Sequence, residues 1–114
     1  MANMIPRSDI QATCDDIVRG FRPLKVILFG SYAYASPTED SDVDMLVVMD
    51  IPEEEVRKKA LEIRMRIPHR FPMDLLVRTP RELAFRLAHN DWFLREVMER
   101  GEVLYESDHA GVGP

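Results

Sequence analysis

Apolar positions along the chain follow two spacings, one helical and one extended. Ile10, Cys14, Ile17, Val18 and Phe21 fall on one helical face, with Ser8 placed to cap the start and Gly20 near the stop. This spacing predicts a first helix over about residues 9 to 20. Beyond Pro23, the unbroken run Lys25-Val26-Ile27-Leu28-Phe29 has strand length and closes on Gly30. Residues 31 to 41, small and polar around Pro37, predict a short helical turn followed by a loop. Val43 to Met49 then predicts a second buried strand.

Pro52 and three glutamates open a second helix, where negative charge suits the helix dipole. Val56, Ala60, Leu61, Ile63 and Ile67 partly fit its apolar face, and Pro68 ends it. Met73 to Val77 predicts a third strand. Thr79-Pro80-Arg81-Glu82 reads as a capping box with proline at the first helical position. The helix it starts runs to about His89, with Leu83, Leu87 and Ala88 toward the core. Asn90 is placed to cap a further helix whose apolar side is Trp92, Phe93, Val97 and Met98, ending at Gly101. Val103-Leu104-Tyr105 predicts a short last strand. The expected fold class is α/β, a mixed sheet of three to four strands with four or five helices on at least one face. Residues 1–114 are expected to form one domain, with 1–7 and 107–114 as flexible tails.

Composition narrows the function classes. The 114 residues carry 15 basic and 20 acidic side chains, a formal charge of -5. A protein held to nucleic-acid phosphates needs a basic face, so direct nucleic-acid binding is not expected. Nucleotide binding remains open, because a metal ion can screen a triphosphate from carboxylates. A lone cysteine, Cys14, cannot form an internal disulfide, so a reducing, cytoplasmic setting is expected. The apolar runs are short, and no membrane span or signal peptide is expected.

The candidate chemistry lies in the acidic residues. Asp42 and Asp44 sit two apart at the start of the second strand, so both side chains project from the same face. Like charges this close repel unless a cation or proton lies between them. The window from Tyr32 to Asp50 contains no Lys or Arg. A divalent metal resolves the conflict, and oxygen-only ligands favour Mg²⁺, with Mn²⁺ as the alternative. Asp74 interrupts the third strand, where burial and hence a partner are expected. If the second and third strands are neighbours, it faces the same site. Three carboxylates around one or two Mg²⁺ ions suit phosphoryl or nucleotidyl transfer. Upstream, Gly30-Ser31 ends the first strand and opens a helical turn. There a glycine lets backbone approach a phosphate, and amides and a hydroxyl can hold it.

Plainer explanations stand beside each feature. Gly30-Ser31 is compatible with an ordinary turn, Asp42 and Asp44 with a solvated loop, and Asp74 with an ion pair to Arg70 or Arg78. Their combination is rarer. At ordinary residue frequencies, Gly-Ser-x10-Asp-x-Asp arises by chance about once in a thousand chains of this length. Asp40, Asp42 and Asp44 also have the spacing of a calcium loop. Met45 at its sixth position and Ile51 at its twelfth exclude an EF-hand.

The stretch LFGSYAYASPTEDSDVDMLVV resembles the signature of minimal nucleotidyltransferases, the smallest branch of the DNA polymerase beta superfamily. That pattern is Gly-Ser, ten residues, Asp-x-Asp entering a strand, and a third Asp on a later strand. The corresponding positions are Gly30, Ser31, Asp42, Asp44 and Asp74. KVILFGS, FPMDLLVRTPREL and FLREVMERGEVLYE share the family's character, so the likeness covers about residues 8 to 106. One departure is Tyr34-Ala35, where many members have Arg-Gly. It puts nucleotide affinity and rate in question. Losing the glycine costs about 1 kcal/mol if the position is left-handed.

The resemblance implies a nucleotidyltransferase fold and a two-Mg²⁺ reaction. AMP would pass from ATP to a tyrosine hydroxyl of a partner HEPN-domain toxin, which the chain would silence as an antitoxin in a hetero-oligomer. By the same resemblance, Asp42 and Asp44 ligate both metals, and Asp74 completes one site and helps activate the acceptor. Gly30 and Ser31 hold the outer phosphates. The small size suits a protein acceptor. Trp92 with Phe93 on the last helix is a candidate docking surface, although the plainer expectation for the pair is core and rim. Two rival functions are a non-catalytic binding module that neutralises its partner by docking, and transfer to a small hydroxylated molecule.

Overall fold

Alternate residues of the central strands bury into two separate apolar clusters, one on each side of a single sheet. Val26 and Leu28, Val43, Met45 and Val47, and Leu75 and Val77 belong to one cluster. Ile27 and Phe29, Leu46 and Val48, and Leu76 belong to the other. In the computed structural model, which describes residues 4–108, these strands are β1 (Lys25–Phe29), β2 (Val43–Val48) and β3 (Met73–Arg78), with β4 (Glu102–Glu106). The helices are α1 (Arg7–Phe21), α2 (Val56–Arg66), α3 (Pro80–Ala88) and α4 (Trp92–Arg100). The expected α/β architecture with a small mixed sheet is found, and helices cover both faces.

The sheet order is β3-β2-β1-β4. β1 runs antiparallel to both β2 and β4, and β2 runs parallel to β3. Parallel pairing needs a crossover, and α2 supplies it. α1 buries Ile10, Cys14 and Ile17 against the first face, where α2 adds Ile63. On the second face α3 contributes Leu83, and α4 contributes Leu94 and Val97. Burying side chains of this size contributes roughly 1.5–3 kcal/mol each.

Several local expectations are corrected. α1 starts at Arg7 behind Pro6, which makes no side-chain cap bond, so Ser8 lies inside the helix. Three glutamates form a separate 3-10 turn at Glu53–Glu55 ahead of α2. Leu61 is 60% exposed, because the stripe that meets the sheet passes through Ile63 and the partly buried Val56 and Ala60. Ala88 is exposed at the end of α3. Asp91, not Asn90, caps α4 by accepting from the Leu94 N–H at 2.9 Å, while Asn90 takes a left-handed turn conformation. The buried side of α4 is therefore Leu94 and Val97, leaving Trp92, Phe93 and Met98 exposed. By contrast, Thr79 caps α3 as expected, accepting from the Glu82 N–H at 3.1 Å.

Within the segments expected as tails, the Ile5 N–H donates to the Tyr32 hydroxyl at 3.1 Å. The Ser107 N–H donates to the Leu24 carbonyl at 2.9 Å. The remainder of those segments, 1–3 and 109–114, lies outside the described residues. No helix among the described residues is long and apolar enough to cross a membrane.

Two glycines give opposite expectations. A Cβ at Gly101, between α4 and β4, would overlap the Val97 carbonyl oxygen and stand 2.8 Å from Ile27 Cγ2. Gly101→Ala is expected to destabilise by about 2–3 kcal/mol through overpacking. Gly20, inside α1, has nothing within 4 Å of such an atom. Gly20→Ala is expected to stabilise by about 0.5–1 kcal/mol, because alanine favours the helix. Urea denaturation of both variants checks the pair.

Candidate active site

β1 ends where β2 and β3 begin, so the candidate residues meet at one end of the sheet. Register places Phe29 opposite Asp44 and Asp44 beside Asp74. Asp44 is even-numbered like Leu46 and Val48, and Asp74 like Leu76, so both carboxylates face the α3–α4 side. The Val43 N–H donates to the Pro72 carbonyl at 3.2 Å, tying together the starts of the two strands. Asp42 is exposed just ahead of β2, on a loop pinned where the Thr38 N–H donates to the Ser41 hydroxyl at 2.8 Å.

Burial differs from the expectation for Asp74. It is exposed near the start of an edge strand, and the half-buried carboxylate is Asp44. Neither proposed arginine pairs with Asp74. Arg70 bonds Asp16 at 2.7 Å on the opposite face, and Arg78 pairs with Glu82 at 3.6 Å at the far end of β3. Burial is the first cause that raises the Asp44 carboxyl from 3.8 to about 6. Repulsion from Asp74, a hydrogen bond with Asp74, and repulsion from Asp42 follow in that order.

Gly30 makes the close approach possible. Its φ is +74, and a Cβ there would overlap the Asp44 Oδ2 atom. Only glycine combines that left-handed backbone with the space the carboxylate occupies. The Gly30 carbonyl accepts from the Ala33 and Tyr34 N–H groups, each at 3.0 Å, forming the turn that carries half-buried Ser31. This is one turn and not a longer helix, so its dipole is small. Ala35 has φ 62, so the departure from Arg-Gly places a Cβ in a left-handed position.

The structure thus brings Gly30, Asp44 and Asp74 into contact or register, with Ser31 on the adjoining turn and Asp42 at longer range. Among the described residues, no three His, Cys, Asp or Glu side chains are close enough to enclose a metal ion. The donor chemistry nonetheless fits a hard cation. Asp44 and Asp74 offer carboxylate oxygens side by side, and their mutual repulsion is what a cation relieves. Sequence reasoning missed Arg100, whose guanidinium lies 4.1 Å over the Tyr34 ring. A gap of 66 positions conceals that contact.

Two predictions follow from this geometry. Gly30→Ala must displace the Asp44 carboxylate, and a displacement of about 1 Å costs on the order of 100-fold in rate. Measured transfer activity, with circular dichroism to confirm folding, checks it. The second concerns pH. Asp44 holds its proton more tightly folded than unfolded, so its stabilising contribution is present below 3.8 and is lost as pH rises through about 6. Asp44→Asn is therefore expected to gain stability over wild type as pH rises. Because Asp44 is partly open to solvent, the gain is discounted to on the order of 1 kcal/mol between about pH 4 and pH 8. A melting-temperature difference that stays flat across that range would contradict it.

Comparison with known proteins identifies the family. The family profile described as "Polymerase beta, Nucleotidyltransferase" matches residues 13–110. A relative from Methanocaldococcus jannaschii, named as a candidate protein adenylyltransferase, is 35% identical over 81 residues. That alignment covers 71% of this chain and 77% of the relative. The crystal structure of a candidate nucleotidyltransferase from Sulfolobus solfataricus superposes with a TM-score of 0.61 at 20% identity. It covers 87% of this chain and 78% of that one, and supports the fold. With the profile spanning most of the chain and the relative covering more than two thirds of it, the chain belongs to the polymerase beta nucleotidyltransferase family.

Proposed function

We propose that the protein transfers AMP from Mg²⁺-bound ATP to a hydroxyl, a tyrosine in the favoured reading, on a partner HEPN-domain toxin, and so acts as an antitoxin. The observation that carries nucleotidyl transfer is the Asp44–Asp74 pair held side by side by parallel register, with Gly30 against it. Asp42, Asp44 and Asp74 would hold the metal ions, which neutralise phosphate charge and favour attack by the acceptor oxygen. Gly30 and Ser31 would hold the outer phosphates. Positioning and electrostatics supply most of the rate in such transfers.

A protein acceptor is supported by the adenylyltransferase name of the M. jannaschii relative. It is further supported by the start of α4. Trp92 is 85% exposed, and Phe93 packs edge-on against Phe29 with ring centroids 5.5 Å apart. Phe29 lies opposite Asp44, so this aromatic surface adjoins the carboxylates. Aromatic anchors of this kind dominate protein interfaces.

The test is incubation with labelled ATP, Mg²⁺ and the product of the neighbouring gene, followed by mass analysis of that product. A gain of one or more AMP units is expected. Asp42→Ala and Asp44→Ala are each expected to abolish the gain while leaving any complex intact. Neutralisation of the partner by these variants at the wild-type level would favour a docking module, and transfer without a protein partner would favour a small hydroxylated acceptor.

A further inference from the structure

A triphosphate brought to this site meets carboxylates, and the chain around them supplies little positive charge. No Lys or Arg lies between Tyr32 and Asp50. Lys25 and Arg78 both align with Val48, at the opposite end of the sheet from Asp44 and Asp74. Arg70 is held by Asp16 and Thr13 on the other face. Arg7 is engaged by Glu102.

Arg100 is placed differently. It is the last residue of α4, and the next residue, Gly101, packs against the Leu28 carbonyl, two positions before Gly30. Its guanidinium lies over the Tyr34 ring at 4.1 Å, and the Tyr34 N–H donates to the Gly30 carbonyl at 3.0 Å. Tyr34 packs into the cluster on the α3–α4 face, the same face to which Asp44 and Asp74 point. The tyrosine ring thus braces a cation beside the Gly30-Ser31 turn. Arg100 is 58% exposed, and its ion pair with Glu96 is a loose 3.6 Å contact within one helix. Such exposed pairs are weak and leave the guanidinium donors available.

We propose that Arg100, held on Tyr34, is a substrate-binding residue that contacts the outer phosphates of the nucleotide and the departing pyrophosphate. The proposal rests on the nucleotidyl-transfer reading and adds a residue to it. In that reaction the acceptor oxygen bonds to the α-phosphorus as the bond from that phosphorus to the bridging oxygen breaks. The electron pair of the broken bond leaves with pyrophosphate, and the acceptor proton is released to water. A planar guanidinium beside the turn matches phosphate oxygens in pairs and favours the charge that accumulates on the leaving group. It also supplies, from a distant part of the chain, the charge absent at position 34 itself.

The test measures calorimetric binding of MgATP, inorganic pyrophosphate and AMP. Arg100→Gln is expected to weaken MgATP and pyrophosphate by about tenfold or more, the scale of a lost hydrogen bond to a charged group. AMP, which lacks the outer phosphates, is expected to bind as in wild type. Adding Tyr34→Arg to Arg100→Gln is expected to restore most of the pyrophosphate affinity. Equal pyrophosphate binding by wild type and Arg100→Gln overturns the proposal while leaving nucleotidyl transfer standing. An equal loss for AMP, or no rescue by Tyr34→Arg, also overturns it, because the defect then lies in packing. Failure of wild type to bind either MgATP or pyrophosphate overturns the nucleotidyl-transfer reading as well.

Discussion

Parallel pairing of β2 with β3 sets two carboxylates next to each other, and the rest of the site is arranged around that like-charge contact. Asp44 and Asp74 are register partners on adjacent strands, so their backbones cannot move apart without breaking the ladder. Repulsion is reduced in two ways. Asp74 stays in water near the start of an edge strand, and Asp44, half-buried, holds its proton up to about pH 6. A cation removes the same repulsion without a proton. The strand pairing that completes the sheet therefore creates a place where positive charge stabilises the folded chain.

Stability and chemistry draw on the same residues in different proportions. The alternation that sends Val43, Met45 and Val47 into one core sends Asp44 toward the other face. A shift of one residue in β2 would exchange these faces, turning the carboxylate into the apolar cluster beneath α1 and α2. The apolar residues thus hold Asp44 in place. Gly30 has the converse role, since its missing side chain is the space into which the carboxylate fits. Ala35 shows the cost of a side chain in a left-handed position on the same turn.

Much of this was legible along the chain. The strands at Lys25–Phe29, Val43–Val48 and Met73–Arg78 follow from apolar runs, the last two each interrupted by one aspartate, and the cap of α3 from Thr79-Pro80. Helix faces were less legible. Trp92, Phe93 and Leu61 are apolar by type and were expected inside, yet they project outward because the sheet meets a neighbouring stripe of the same helix. Periodicity reports an apolar side of a helix but not how that side is rotated against its partner. The start of α4 illustrates the limit in another way. Asn90 and Asp91 are both good caps, and the choice depended on which one the Leu94 amide could reach.

The sequence by itself determined the identity and spacing of Gly30, Ser31, Asp42 and Asp44, because these residues are close along the chain and strand geometry is local. It also identified Asp74 as a charge out of place in an apolar strand. Only the tertiary structure decided that Asp74 lies beside Asp44 in solvent, and that neither Arg70 nor Arg78 reaches it. Only the tertiary structure placed Arg100 over Tyr34. The physical reason is the same in each case. Strand order and helix packing set distances between residues remote in sequence, and those distances depend on the whole core closing at once.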